Sequence, residues 1–205
     1  EGKVKESIKE QLSSYAGTIA ELENFMTFKD NNFILKHNID AIFHVLKFLN
    51  SNENIFILNG FMGTGKTYVA DSIINFVNDD VLVFRNSYQE AINLDDVLLS
   101  LFKNFSIYHN EKKVILPKIE TNVFSEKINA YVKYFNVPML FIFDSFEINM
   151  RSKDTQKDIL DFINYLSRFE KIKVLICSRS FKQENLISQE SSTEYKLKAL
   201  TKEED

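Results

Sequence analysis

A glycine-rich octapeptide at residues 60–67 constrains the fold of this chain more than any other feature. Its sequence, GFMGTGKT, matches the G-x-x-x-x-G-K-T pattern of the phosphate-binding P-loop. The apolar run at 54–59 before it is typical of a buried parallel strand. Residues 68–77 after it carry apolar side chains at positions that suit the buried face of a helix. Strand, glycine turn and helix in this order predict an α/β domain built around the loop.

The P-loop pattern also predicts how the loop would hold a nucleotide. Glycines lack a Cβ, so the chain can turn tightly and direct consecutive N–H groups inward, toward an anion at the start of the next helix. Lys66 is expected to reach the β- and γ-phosphates, and the Thr67 hydroxyl to bind Mg²⁺. The alternative is a glycine turn without a ligand. The predicted nucleotide-binding residues are Gly60, Phe61, Met62, Gly63, Thr64, Gly65, Lys66, Thr67 and Tyr68.

An acidic residue ends a later apolar run, and a second follows it closely. Residues 140–144 read Leu-Phe-Ile-Phe-Asp, the Walker B pattern, so Asp144 is expected to hold Mg²⁺ through water opposite Thr67. A bare carboxylate at the end of a buried strand needs such a reason, because an unpaired acid there is costly. Glu147, in the following loop, is the predicted catalytic residue that orients the attacking water. The alternatives are an N-cap role for Asp144 and a solvated loop position for Glu147.

Arg179 lies just past the fourth predicted strand, and Arg85 and Asn86 lie at the end of the second. In a doubly wound sheet ligands bind at the carboxyl ends of the strands, and a guanidinium suits phosphate. We therefore expect Arg179 to contact the γ-phosphate and to distinguish ATP from ADP, the alternative being a surface salt bridge. No N-K-x-D base-reading motif follows the P-loop, which favours ATP over GTP.

Composition sets limits on location and partners. The 205 residues carry a net charge of −4, so no global basic field favours nucleic acid or an anionic membrane, and nucleic acid is not an expected partner. Cys177 is the single cysteine, and no apolar run approaches the length of a membrane span. The N-terminus has no signal-peptide core and no initiator Met. A cytoplasmic fragment of a longer protein is expected.

Hydrophobic periodicity predicts the remaining elements and two segments, an N-terminal helical extension over 1–32 and a P-loop ATPase domain over 33–205. Phe33 and Ile34 are candidate adenine contacts, with core packing as the alternative, and 114–116 is a candidate short strand. The predicted helices are 4–26, 38–50, 94–105, 122–135 and 153–169, and the predicted strands are 54–59, 81–84, 138–144, 172–177 and 195–200.

With these residues in place, the chain resembles the STAND class of P-loop NTPases, AAA+-related signalling ATPases that include NACHT and NB-ARC domains. The loop at 60–67 matches Walker A, and 141–147, FIFDSFE, is similar to a bacterial strand ending in Asp-Asn-Phe-Glu. Residues 174–179, VLICSR, look like the strand ending in Thr-Ser-Arg that carries the sensor 1 arginine, which corresponds to Arg179. Residues 195–201, YKLKALT, resemble the family's exit from the NTPase core.

The resemblance implies a three-layer sandwich with a mainly parallel sheet of order 5-1-4-3-2. It implies a switch in which ADP holds a closed monomer, whereas ATP, hydrolysed slowly, permits self-association and signalling through other domains of the same chain. Cys177 replaces the usual threonine, and the usual Gly-Arg-Glu motif is absent. Winged-helix and lid modules are expected after Asp205.

Three other functions stay open at this stage. A DNA-associated AAA+ ATPase, such as a replication or transposition loader, would need a basic surface and an arginine finger. Arg151 and Arg168 are the candidates for the finger, with surface charges as the alternative. A non-catalytic interaction module would have no use for intact Lys66, Thr67, Asp144 and Glu147. A kinase for a small molecule would share the P-loop but is disfavoured by the sensor-like Arg179.

Overall fold

A computed structural model describes most of the predicted ATPase domain. The described residues are 36–77, 81–86, 94–108, 123–135, 137–149, 153–183, 186 and 192–197. The predicted helix over 4–26, the candidate strand over 114–116, Phe33, Ile34 and Arg151 lie outside them, as does the predicted segment boundary at 32–33.

The described residues form a parallel sheet with helices on both faces. The helices are α1 (Lys36–Leu49), α2 (Lys66–Val77), α3 (Leu94–Tyr108), α4 (Phe124–Phe135), α5 (Phe146–Asn149) and α6 (Lys153–Leu166). The strands are β1 (Ile55–Asn59), β2 (Leu82–Asn86), β3 (Met139–Phe143), β4 (Ile172–Ser178) and β5 (Ser192–Lys196).

The strand order is β2-β3-β4-β1-β5, and every neighbouring pair is parallel. This is the order 5-1-4-3-2 seen from the other edge, so the predicted topology is confirmed. All residues of β1, β2 and β3 are buried, as expected for strands covered on both faces.

Two apolar layers divide the side chains of each central strand by alternation. Phe56, Leu140 and Leu175 face α1 and α2. Ile57 and Phe141 belong to the opposite layer, which packs against α3, α4 and α6. Because successive side chains of a strand point to opposite faces, a run that is apolar throughout serves both layers. The three-layer sandwich is therefore present as predicted.

Several element boundaries differ from the predictions: α3 ends at Tyr108 rather than 105, β2 ends at Asn86 rather than 84, and two further differences have a visible cause. The fifth strand lies at Ser192–Lys196 rather than 195–200, because it pairs with β1 from Ile55 opposite Ser192. Only Ser192 is buried along β5, so the sequence offered little apolar pattern to locate it. Helix α6 ends at Leu166 rather than 169, where the Ser167 hydroxyl donates to the carbonyl of Asn164 at 2.9 Å.

A tyrosine joins the edge strand to the first helix. The Tyr195 hydroxyl on β5 donates to Asp40 Oδ2 on α1 at 2.6 Å. The ring of His44 packs against the Tyr195 ring, with 4.7 Å between centroids. Burial, followed by the bond to Asp40, raises the pKa of Tyr195 above its usual value. The contact fixes β5 against α1 at the edge of the sheet.

We expect Tyr195→Phe to lower the free energy of unfolding by about 0.5–1 kcal/mol at neutral pH, because the hydrogen bond between β5 and α1 is lost. A raised pKa in the folded state means that the hydroxyl contributes fully below pH about 10 and less above it. The difference from wild type should therefore shrink at higher pH. Urea denaturation measures it, with Tyr134→Phe as control, since the Tyr134 side chain is 65% exposed. Equal losses in the two variants would contradict the assignment.

Candidate functional site

Three chain segments meet at the carboxyl edge of the sheet. The P-loop follows β1, Asp144 follows β3, and Arg179 follows β4. Strand β4 lies between β1 and β3, with Asn59 opposite Ser178 and Phe143 opposite Ile176. The parallel register therefore brings the three segments to one place, where ligands of such sheets bind.

The P-loop adopts a conformation that requires glycine at two positions. Gly63 and Gly65 have φ angles of 83° and 87°, in the left-handed region that other residues rarely adopt. Gly65 also approaches the buried side chain of Asn38 so closely that a Cβ would overlap the amide, whereas a Cβ at Gly63 would meet none of the described residues. The loop is thus held against the start of α1 at Gly65.

Lys66 begins α2 and reaches back across the loop. Its Nζ donates to the carbonyl oxygens of Gly60 at 2.7 Å and Phe61 at 2.9 Å. Burial lowers the pKa of the Lys66 ammonium, and the neighbouring charge of Glu147 acts in the opposite direction. The ammonium group therefore lies against the first two residues of the loop, and its contact with phosphates stays a prediction.

The two predicted metal ligands face each other. The Thr67 hydroxyl on α2 donates to Asp144 Oδ1 at 3.3 Å. The same oxygen accepts the N–H of Ser145 at 2.9 Å, and Ser145 takes up a left-handed backbone with φ of 54°. Hydroxyl and carboxylate oxygens are the ligands that Mg²⁺ prefers.

Among the described residues, no group of three or more His, Cys, Asp or Glu side chains could hold a metal alone. A Mg²⁺ ion in a nucleotide site keeps several waters and shares phosphate oxygens, so few protein ligands are enough to hold it. Thr67 and Asp144 therefore fit the ion that the motif predicts, and a dedicated protein cage is not required.

Sequence analysis missed the role of Arg85. Its side chain is buried, with the residue 4% exposed, and it forms ion pairs with Asp71 on α2 and with Asp144 Oδ2, the latter at 2.9 Å. The sequence did contain a signal for a buried charge. Val83 and Arg85 lie on the same face of β2, where alternation predicts an apolar residue at position 85. A charge on a buried strand face indicates a buried partner.

The two remaining predicted catalytic residues are paired with each other. Arg179 Nε lies 2.9 Å from Glu147 Oε1, and the Arg179 N–H donates to Glu147 Oε2 at 3.2 Å. Glu147 lies on the single-turn helix α5, so its predicted loop position is wrong. Arg179 does form the salt bridge held as its alternative, but the partner belongs to the same site. Its side chain is 52% exposed, so the pair adds little stability.

Tyr68 and Cys177 belong to the apolar layer beneath the site. Tyr68 packs, partly buried, against the layer of α1 and α2. Cys177 is fully buried in that layer, and burial raises the pKa of its thiol well above the usual value. The cysteine is therefore a packing residue at the position where the resembling family has threonine.

Comparison with known proteins found relatives by structure only, since neither the protein-family models nor the curated proteins gave a match. Cdc6p from Pyrobaculum aerophilum superimposes with a TM-score of 0.56 at 13% identity, covering 84% of this chain and 48% of that chain. PCH-2 of C. elegans gives a TM-score of 0.49 at 13% identity, with 82% and 44% covered. Drosophila ORC bound to AT-rich DNA and Cdc6 gives 0.49 at 15% identity, with 90% and 60% covered.

The likeness to Cdc6p is one of fold, at an identity too low to carry an activity. It confirms the predicted α/β P-loop NTPase fold. The chain spans about half the length of these solved structures. A likeness of fold does not test the expectation that nucleic acid is not a partner, so that expectation stays a prediction. None of the described helices combines the length and apolarity needed to cross a bilayer.

We expect Gly65→Ala to destabilise the fold more than Gly63→Ala. Both alanines would pay about 1–2 kcal/mol for a left-handed backbone. Only the Gly65 variant must also displace the Asn38 amide, which adds about 1–3 kcal/mol of overpacking. Chemical denaturation of the two variants measures the difference, and equal losses would show that the close approach to Asn38 is unimportant.

Proposed function

We propose that the chain is an ATP-binding switch with slow Mg²⁺-dependent ATP hydrolysis. The observation that carries the proposal is the meeting of Lys66, the Thr67–Asp144 pair and the Glu147–Arg179 pair at one edge of the sheet. These are the parts that phosphoryl transfer to water needs: a cationic cradle, a metal site, a water-positioning acid and a phosphate-sensing arginine.

Each group has a distinct task in this proposal. The loop N–H groups and Lys66 bind the β- and γ-phosphates, with Lys66 exchanging the carbonyl oxygens of Gly60 and Phe61 for phosphate oxygens. Thr67 and Asp144 hold Mg²⁺, which neutralises charge on the phosphates when bound. Glu147 orients a water and accepts its proton as the oxygen attacks the γ-phosphorus. The bond from the γ-phosphorus to the bridging oxygen breaks in the same step, so ADP and phosphate are the products.

The Glu147–Arg179 pair provides the difference between ADP and ATP. The Arg179 guanidinium lies on Glu147, and the proposal assigns this pairing to the ADP-bound state. A γ-phosphate offers a stronger bidentate partner, so Arg179 turns to the nucleotide and Glu147 becomes available to water. The arginine is half exposed, so this exchange requires little rearrangement of packed atoms.

The wider role in the proposal rests on the resemblance to STAND ATPases. Residues 33–205 would form the switch domain and 1–32 a helical extension in a cytoplasmic protein. The nucleotide state would control self-association through other domains of the same chain. ADP would hold the closed monomer, and ATP would permit assembly.

A DNA-associated ATPase is the second candidate, because the chain shares its fold with Cdc6p. Binding of DNA with a steep salt dependence would favour it, since neutralised phosphates release counterions. Binding of nucleotide with no affinity for DNA at low salt would favour the switch.

Lys66→Ala should weaken ATP binding by at least about tenfold, because charge-assisted bonds to the phosphates are lost. Isothermal titration calorimetry with ATP and Mg²⁺ measures this. Lys157→Ala is the matched control, since Lys157 is exposed on α6. Unchanged affinity in Lys66→Ala, or no binding by the wild type, would refute the proposed site.

Glu147→Gln should slow ATP hydrolysis by about 100-fold or more while ATP affinity is retained, because the amide cannot accept the proton from water. Single-turnover assays of phosphate release and parallel binding titrations separate the two effects. Equal turnover in the variant and the wild type would remove Glu147 from the mechanism.

A further inference from the structure

Two consecutive ion pairs connect the surface of α2 with the predicted Mg²⁺ ligand. Asp71 contacts Arg85, and Arg85 contacts Asp144. The Asp71 side chain is 52% exposed, whereas those of Arg85 and Asp144 are 5% and 7% exposed. Burial of a guanidinium is costly unless it is paired and hydrogen-bonded. Arg85 therefore places a charge at a buried position of β2 where an apolar residue is expected, and Asp71 and Asp144 stabilise that charge.

The two carboxylate oxygens of Asp144 have different partners. Oδ1 accepts hydrogen bonds from the Thr67 hydroxyl and the Ser145 N–H, so it faces the metal side. Oδ2 accepts from the guanidinium of Arg85 at 2.9 Å. Arg85 thereby fixes the plane of the carboxylate with Oδ1 directed at Thr67. Partners that orient a metal ligand from behind in this way commonly control metal affinity.

Asp71 is placed to adjust the same site through Arg85. Thr67 and Asp71 are four residues apart on α2, so they lie on one face of the helix, a turn apart. A guanidinium directly against Asp144 reduces the attraction of that carboxylate for a cation. The negative charge of Asp71 on the other side of Arg85 offsets this reduction. The metal site thus depends on a residue that is half exposed and outside the P-loop.

We propose that Arg85 and Asp71 are positioning residues of the Mg²⁺ site, with Arg85 orienting Asp144 and Asp71 offsetting the charge of Arg85. The inference rests on the proposed nucleotide function and assigns the pair that sets its metal dependence. Loss of the Asp71 charge directs more of the Arg85 charge at Asp144, so more Mg²⁺ is needed for the same occupancy.

The test titrates Mg²⁺ into protein with a non-hydrolysable ATP analogue and measures analogue affinity, including a metal-free point in EDTA. Asp71→Asn keeps the size of the side chain and removes its charge at a half-exposed position. Arg85→Lys keeps the positive charge, but a single ammonium group cannot reproduce the planar guanidinium that contacts both acids. Asp158→Asn is the matched control, because Asp158 is exposed on α6. Thermal denaturation confirms folding of each variant.

Asp71→Asn should raise the half-saturating Mg²⁺ concentration by at least about threefold, and Arg85→Lys by about tenfold. Analogue affinity in EDTA should match that of the wild type, and Asp158→Asn should change neither value. An unchanged Mg²⁺ requirement in folded Asp71→Asn, or an equal loss of affinity in EDTA, would overturn this inference alone. A wild type that binds no analogue at any Mg²⁺ concentration would overturn the proposed function as well.

Discussion

The parallel pairing of β4 with both β1 and β3 is the constraint on which the candidate site depends. The P-loop, Asp144 and Arg179 each follow the carboxyl end of one of these strands, and their distances are set by the register of the sheet. A slip of one residue would turn every side chain of β4 to the other face, so both apolar layers enforce the register. The two apolar layers that stabilise the fold therefore also fix the relative positions of the site residues.

The charged side chains of the site, among the described residues, are equal in number by sign. The cations are Lys66, Arg85 and Arg179, and the anions are Asp71, Asp144 and Glu147. Two of the cations are held by groups that a phosphate chain could replace, since Lys66 contacts loop carbonyls and Arg179 contacts Glu147. Arg85 differs because it is buried and remains on Asp144 from behind. Nucleotide binding in this account is an exchange of partners at Lys66 and Arg179 around a fixed metal ligand.

Sequence predicted the parts of the molecule in which local pattern and global fold agree. The β1–loop–α2 unit combines an apolar strand with a glycine pattern, and the apolar run before Asp144 locates β3 in the same way. Strand β5 was misplaced because its side chains are mostly exposed and only its pairing with β1 defines it. Arg85 was missed because Asp71 and Asp144 lie 14 and 59 residues away in the sequence. The alternation of apolar residues predicts which face of a strand is buried, but it cannot predict an ion pair between distant residues. The pairing of Glu147 with Arg179 likewise depends on two adjacent strand ends.

The most direct test is a crystal structure of the wild type with Mg²⁺ and a non-hydrolysable ATP analogue. We expect phosphates within the loop at 60–67, with Lys66 Nζ on phosphate oxygens and Mg²⁺ between Thr67 and Asp144. We also expect Arg179 to leave Glu147 for the γ-phosphate while Arg85 stays on Asp144. An analogue bound elsewhere, or bound in the loop with Lys66 still on the carbonyl oxygens of Gly60 and Phe61, would contradict the proposed site.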